Sequence, residues 1–181
     1  MSFEIRSATV ADAKTCYAHT MRHFAESGVD GDIVFHPMLD SWNSREMKDC
    51  VDKFDESWSK PITEMGWERM WLLFDGPDRV VGHASLRSPH SPSGLHRSML
   101  GIGVERHVRG GGWGRKLMQA AISWARDQSS LDYIDLYVFT HNTKAHALYE
   151  SLGFKEIGTT HDLFRVGSQI IDDIHMVLEL K

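Results

Sequence analysis

Arg109-Gly110-Gly111-Gly112-Trp113-Gly114 stands between an apolar, strand-like run, Met99-Leu100-Gly101-Ile102-Gly103-Val104, and a helix-like one. In the latter, Leu117, Ala120, Ala121 and Trp124 recur at i, i+3, i+4 and i+7, the spacing of a buried helical face. A glycine-rich turn between strand and helix leaves backbone N–H groups unpaired at the positive end of the helix dipole, an arrangement that suits phosphate. Arg109, Arg115 and Lys116 add positive charge beside it. Taken alone, the turn reads equally well as a flexible surface connection. The dinucleotide fingerprint G-x-G-x-x-G fits poorly, because Arg115 and Lys116 follow where a third glycine is needed. Nor does Lys116-Leu117 complete the P-loop pattern G-x-x-x-x-G-K-[ST].

Downstream, Asp132-Tyr133-Ile134-Asp135-Leu136-Tyr137-Val138-Phe139 reads as the next strand. The segment Asn142 to Phe154 then places Ala145, Leu148, Tyr149 and Leu152 on one helical face. Asn142 suits its N-cap, and Gly153 suits the position just past its end. By periodicity Tyr149 is a core aromatic, whose hydroxyl would still need a polar partner.

Arg-x-x-Gly-x-Gly over Arg109 to Gly114, followed by N-x-x-A-x-x-L-Y-x-x-x-G-F over Asn142 to Phe154, resembles motifs A and B of the GCN5-related N-acetyltransferases. The resemblance is clear from about Val80 to Phe154 and thin before that. It implies acetyl-CoA as co-substrate, with Arg109, Gly112 and Gly114 cradling the pyrophosphate. The wider coenzyme contact it implies takes in Ile102, Val104, Gly110, Gly111, Trp113, Arg115, Asn142, Ala145 and Tyr149. Two of these become catalytic groups: the Val104 backbone N–H as an oxyanion donor and the Tyr149 hydroxyl as an aid to the departing thiolate. A thiol pKa of about 8.5 lies below a phenol's roughly 10, so proton donation is assistance rather than necessity. Relatives often carry a glutamate base on the strand before motif A or before motif B, where this chain has Ser98 and Tyr137. Neither is a convincing base. His83, His96, or a water held by Glu26 or Asp30 are the candidates left. The water relay is preferred, because proton loss through water tolerates the missing glutamate.

Composition agrees with an enzyme of this kind. The 181 residues are 41% hydrophobic and 25% charged, enough for one globular domain with its own core. Lys and Arg total 20 against 25 Asp and Glu, a formal charge of −5, which argues against a nucleic-acid binder. Cys16 and Cys50 lack C-x-x-C spacing, so neither a metal cluster nor a disulfide framework is indicated. The start, Met1-Ser2-Phe3-Glu4-Ile5-Arg6, lacks the layout of a signal peptide, and no apolar run reaches membrane-span length. The expected compartment is the cytoplasm.

Along the chain, Ser2 to Thr9 alternates as a first strand, and Thr9 with Asp12 suits the start of a helix from Val10 to about Ala25. Ser27 to Asp40 reads as a loop, and Ser44 can cap a second helix ending by Pro61. Trp67 to Asp75, Arg79 to Arg87 and His96 to Val104 read as strands, and residues 154 to 164 and 169 to 180 as a closing hairpin. The order βααβββαβαββ is the acetyltransferase order, implying an α/β single-domain fold with a mixed, mostly antiparallel sheet flanked by helices. His19 and His23, at i and i+4, lack a third ligand and the Glu of H-E-x-x-H, so no metal site is expected. The absence of a G-x-S-x-G elbow argues against a hydrolase triad. Trp42, Trp58, Trp67 and Trp71 are expected in the core, with an amine-binding wall as the alternative.

These readings converge on a single domain over residues 1–181 that transfers acetyl from acetyl-CoA to a primary amine by direct attack in a ternary complex. A small amine or amino-acid derivative is the first-ranked acceptor; the C-terminal Arg165, Gly167, Ile171, Asp172 and Met176 resemble the branches that acetylate such molecules. A protein α-amine or lysine ranks second. A non-catalytic acyl-CoA-binding module is the rival class, and retention of Tyr149 favours the enzyme. Oligomeric state is open, with a homodimer paired through the C-terminal hairpin as the available arrangement.

Overall fold

The computed structural model describes residues 2–37 and 47–181. Its elements follow the expected order: β1 (Phe3–Ser7), α1 (Ala13–Ala25), α2 (Met47–Ser59), β2 (Glu68–Asp75), β3 (Val80–Arg87), β4 (Arg97–Val104), α3 (Trp113–Arg126), β5 (Tyr133–Phe139), α4 (Thr143–Ser151), β6 (Lys155–Val166) and β7 (Gln169–Glu179). The expected cap at Ser44 and the aromatic Trp42 lie outside the described residues.

The seven strands form one sheet in the order β1-β2-β3-β4-β5-β7-β6. Every neighbouring pair is antiparallel except β4 and β5, which run parallel. That exception positions the site. β4 and β5 pair only from Arg97/Tyr133 to Met99/Asp135. Beyond that register, Leu100 to Val104 and Leu136 to Phe139 continue as strands without pairing to each other. The sheet is therefore split by a wedge whose walls are two strand edges with free backbone groups.

Helices cover the two faces unevenly. On β2, Trp71 and Leu73 point to the α3 face, while Met70, Leu72 and Phe74 join Cys16 of α1 and Phe54 and Trp58 of α2 on the other. Burial on both faces explains why β2 reads as a nearly continuous apolar run. On α3 the enclosed residues are Leu117, Met118, Ala121, Ile122 and Ala125. The buried stripe is thus turned from the expected one: Ala120 and Trp124 are only partly covered. Trp67 and Trp71 pack against Trp124 at 6.2 and 5.6 Å between centroids, so they are core residues, not a wall of the wedge.

The first helix also starts differently. Val10–Asp12 forms a 3-10 turn before α1. Asp12 serves less as a charge at a helix end than as an anchor: its carboxylate accepts two bonds from Arg6 (2.7 and 2.8 Å) and one from the Thr9 N–H (2.8 Å). Arg6 and Thr9 together hold its carboxyl down at about 2, which ties β1 to α1 at any ordinary pH.

Candidate active site

Alternation along β4 decides which groups face the wedge. The Glu105 N–H bonds to the Val81 carbonyl at 2.9 Å, so it points towards β3. Successive N–H groups alternate, which aims those of Val104 and Ile102 at the opposite edge, into the gap. The same alternation sends the Ile102 side chain to the α3 face, where it approaches Gly114. Gly101, Gly103 and Glu105 then lie on the α1 face. An unpaired N–H in an enclosed notch is the group an oxyanion hole requires.

The glycine turn closes one end of the wedge. Gly110 and Gly112 have φ of +84° and +76°, a region that glycine enters without strain, and Gly112 is the N-cap of α3. A Cβ at either position would meet no atom within 4 Å, so the turn's outer side is open. A Cβ on Gly111 would lie 2.8 Å from the Trp113 indole nitrogen, so that glycine is there for packing. The first helical bond runs from the Lys116 N–H to the Gly112 carbonyl. No described backbone carbonyl accepts the N–H groups from Gly110 to Arg115. The turn therefore presents a cluster of free donors at a helix N-terminus, the arrangement of a phosphate cradle.

Arg109 stands beside the turn with partners the spacing did not reveal. Its guanidinium bonds the Val104 carbonyl (2.8 Å), Glu26 (2.8 Å) and Asp32, and lies over the Phe35 ring. Two carboxylates already neutralise it, so it acts as a strap that fixes the turn against the loop after α1. Arg115 bonds the Ser151 hydroxyl, and Lys116 lies over Trp113, which packs on Phe3.

On the β5 side, Asn142 does cap α4, its side-chain oxygen accepting from the Ala145 N–H at 3.3 Å. Tyr149 is buried at 7% exposure, with its ring against Phe154. Burial raises its hydroxyl well above the ordinary phenol value, so the group stays protonated. Its hydroxyl hydrogen-bonds no described residue.

The base candidates separate clearly. His96 is exposed at the far end of β4, seven residues from Gly103, about 23 Å away at the rise of a strand. It cannot serve the wedge. Glu26 is occupied by the Arg106 N–H (2.9 and 3.0 Å) and Arg109, and Asp30 is exposed beside Arg106. Ser98 is buried on the α3 side, and Tyr137 is half exposed. Of these candidates, His83 comes closest to the wedge: it stands on β3, paired opposite Gly103 of β4. It does so in company that the spacing did not reveal: His19 and His23 of α1, and Glu105. Among the described residues no group of His, Cys, Asp or Glu is arranged to hold a metal ion.

A cleft of about 500 Å³ opens beside the wedge, between the loop after α1 and the start of β7. Ile33, Val34, Ile170 and Ile171 give it apolar walls, with Asp32, Gln169 and His141 as polar points. His141 is fixed by a 2.7 Å bond to the Val34 carbonyl. Its volume is that of a small-molecule pocket.

Comparison with known proteins matches residues 35–154 to the Acetyltransferase (GNAT) family. A mycothiol acetyltransferase of Salinispora tropica is 49% identical over 120 residues, covering 66% of this chain and 36% of that protein. The chain thus spans little more than a third of that relative's length. The L-amino acid N-acetyltransferase AaaT of Escherichia coli is 26% identical over 123 residues, covering 67% of this chain and 75% of that one. A Salmonella typhimurium structure described with its cofactor acetyl-CoA superposes with a TM-score of 0.81 at 16% identity, over 100% of this chain and 95% of that one. At that identity the likeness concerns the fold.

Proposed function

The chain belongs to the GNAT acetyltransferase family, and on that premise we propose that it transfers an acetyl group from acetyl-CoA to the primary amine of a small molecule or amino-acid derivative. The observation that carries this reading is the unpaired wedge between β4 and β5, with a phosphate cradle at its end and an N–H donor in its wall. Pyrophosphate would sit on the free donors of Gly110 to Arg115. The pantetheine arm would run along the open β4 edge by Ile102 and Val104, as an added strand would. The acetyl carbonyl would take the Val104 N–H, which is fixed before substrate arrives and so costs no reorganisation as charge develops. Tyr149, kept protonated, would donate a hydrogen bond to the leaving sulfur. Asn142 and Ala145 would shape the α4 side. Arg109 would hold the turn in place beside the phosphates.

The cleft between Ile33, Val34, Ile170 and Ile171 would take the acceptor. Its size favours a small molecule over a protein tail, and its walls favour one with an apolar part. AaaT supports an amino-acid acceptor, and the mycothiol acetyltransferases support an acceptor of their own kind; both are small molecules. Holding donor and acceptor together in this geometry supplies much of the acceleration by itself.

Thiol release from acetyl-CoA, followed colorimetrically over a panel of amino acids, amino sugars and polyamines, tests the proposal. At least one small amine should accelerate release well above hydrolysis. Release that never rises above hydrolysis would leave an acyl-CoA-binding module as the better description.

A further inference from the structure

Glu105, His19 and His83 come from three elements and form one continuous hydrogen-bonded line. Glu105 Oε1 lies 2.9 Å from His19 Nδ1, and His19 Nε2 lies 2.9 Å from His83 Nδ1. Both His19 and Glu105 are almost wholly enclosed, whereas His83 is partly open. The same Oε1 also accepts Arg22 Nε (3.0 Å) and a second Arg22 nitrogen (2.9 Å). These donors hold the Glu105 carboxyl ionised, down at about 2 despite its burial.

An ionised carboxylate can only accept, and this fixes the first proton in the line. His19 must carry its hydrogen on Nδ1. Neutral His19 then has its lone pair on Nε2, which must accept from His83 Nδ1–H. Neutral His83 is left with a lone pair on Nε2, and no described residue bonds that atom. The ring shares the space over Gly103 with His23: a Cβ there would come within 2.7 Å of His83 Cε1 and within 2.6 and 2.7 Å of His23 Cδ2 and Nε2. Gly103 is joined through its carbonyl carbon to the Val104 nitrogen, the donor placed in the wedge. The absent side chain lets both imidazoles pack onto the strand beside Val104.

We propose that His83 Nε2 is the proton acceptor for the incoming amine, with His19 and Glu105 as positioning residues that fix its tautomer and support its charge. The proposal rests on the acetyl-transfer reading above and supersedes a water relay as the way the missing glutamate is replaced. In the step, an ammonium N–H bond breaks and the His83 Nε2–H bond forms. The freed nitrogen pair attacks the carbonyl carbon, the C–S bond breaks with its electrons to sulfur, and the second surplus proton on nitrogen passes to the departing thiolate. The imidazolium afterwards releases its proton to bulk water.

The groups facing His83 set its working range. Burial, and then His19 and His23 of α1, push its pKa well below the ordinary histidine value. Glu105, shared with Arg22, stands on the opposite side, and Arg79 and His107 approach the outer Glu105 oxygen at 3.6 and 3.7 Å. His83 is therefore neutral and ready at pH 7. The rate should rise with pH through its depressed pKa and be level above it.

Two measurements on the full chain test this. In imidazole ¹⁵N spectra at neutral pH, His19 and His83 should both appear as neutral Nδ1–H tautomers, and an Nε2–H tautomer at His83 would overturn the relay. With acetyl-CoA and the most reactive amine of the panel, kcat/KM should show an inflection below about 6.5. His83→Gln should remove that inflection and lower kcat/KM about 100-fold. Glu105→Gln should move it to lower pH, since the imidazolium loses the carboxylate behind it. An inflection kept in His83→Gln, or unmoved in Glu105→Gln, would refute the assignment. An empty amine panel would instead remove the transfer reading, whatever the tautomers show.

Discussion

Replacing Gly112 by valine should weaken acetyl-CoA binding about 100-fold while leaving the protein folded. Two effects act together. Gly112 caps α3 at φ +76°, where a β-branched residue costs on the order of 1–3 kcal/mol of strain. Its missing Cβ also faces open space, with no atom within 4 Å, so a valine would project from the turn into the volume proposed for the pyrophosphate. The strain alone could shift the turn, so Gly110→Val makes a useful companion: it shares the positive φ and the open surroundings. Isothermal titration with acetyl-CoA reads the effect directly. Parent-like affinity in Gly112→Val would place the phosphates elsewhere.

Tyr149→Phe should lower kcat by about 10- to 100-fold with little change in KM. In a purely structural role the hydroxyl would show up as lost stability. Here it bonds no described residue, so its removal should change the unfolding free energy by less than about 1 kcal/mol. Its raised pKa sharpens the chemistry. A phenol above 10 is a weaker acid than a thiol near 8.5, so complete proton transfer to the thiolate runs uphill. Donation of a hydrogen bond does not. The kcat deficit should accordingly be constant across the pH range in which the parent is active. Steady-state kinetics beside urea denaturation separate the two roles: an unchanged rate would leave Tyr149 as packing.

Local pattern carried much of this site into view. The glycine turn, the Asn142 cap and the Tyr149 helix are each set by residues within a few positions of one another, so periodicity and capping reach them. The wedge is less accessible, because the separation of β4 and β5 after Met99 and Asp135 depends on two strands with a whole helix between them. Arg109 shows the same limit. Its spacing resembles a phosphate ligand, and the carboxylates it pairs with, Glu26 and Asp32, lie across the fold in the loop region after α1. Glu105 is hardly visible in the sequence. Its signal was slight: an acidic residue immediately after an apolar strand, two positions from a glycine on the same face. The i, i+4 pair His19 and His23 was visible as a possible ligand pair, yet its partners are His83 and Glu105, 64 and 86 positions from His19. Spacing along one helix could not have supplied them.

The most direct test of the wedge as the acetyl-CoA site is a backbone amide titration by ¹H–¹⁵N correlation spectroscopy with coenzyme A and then acetyl-CoA. Coenzyme A should shift the amides of Gly110 to Arg115 and of Ile102, and acetyl-CoA should add a distinct shift at Val104. Unmoved resonances at the glycine turn and along β4, with changes confined to other parts of the chain, would contradict the account.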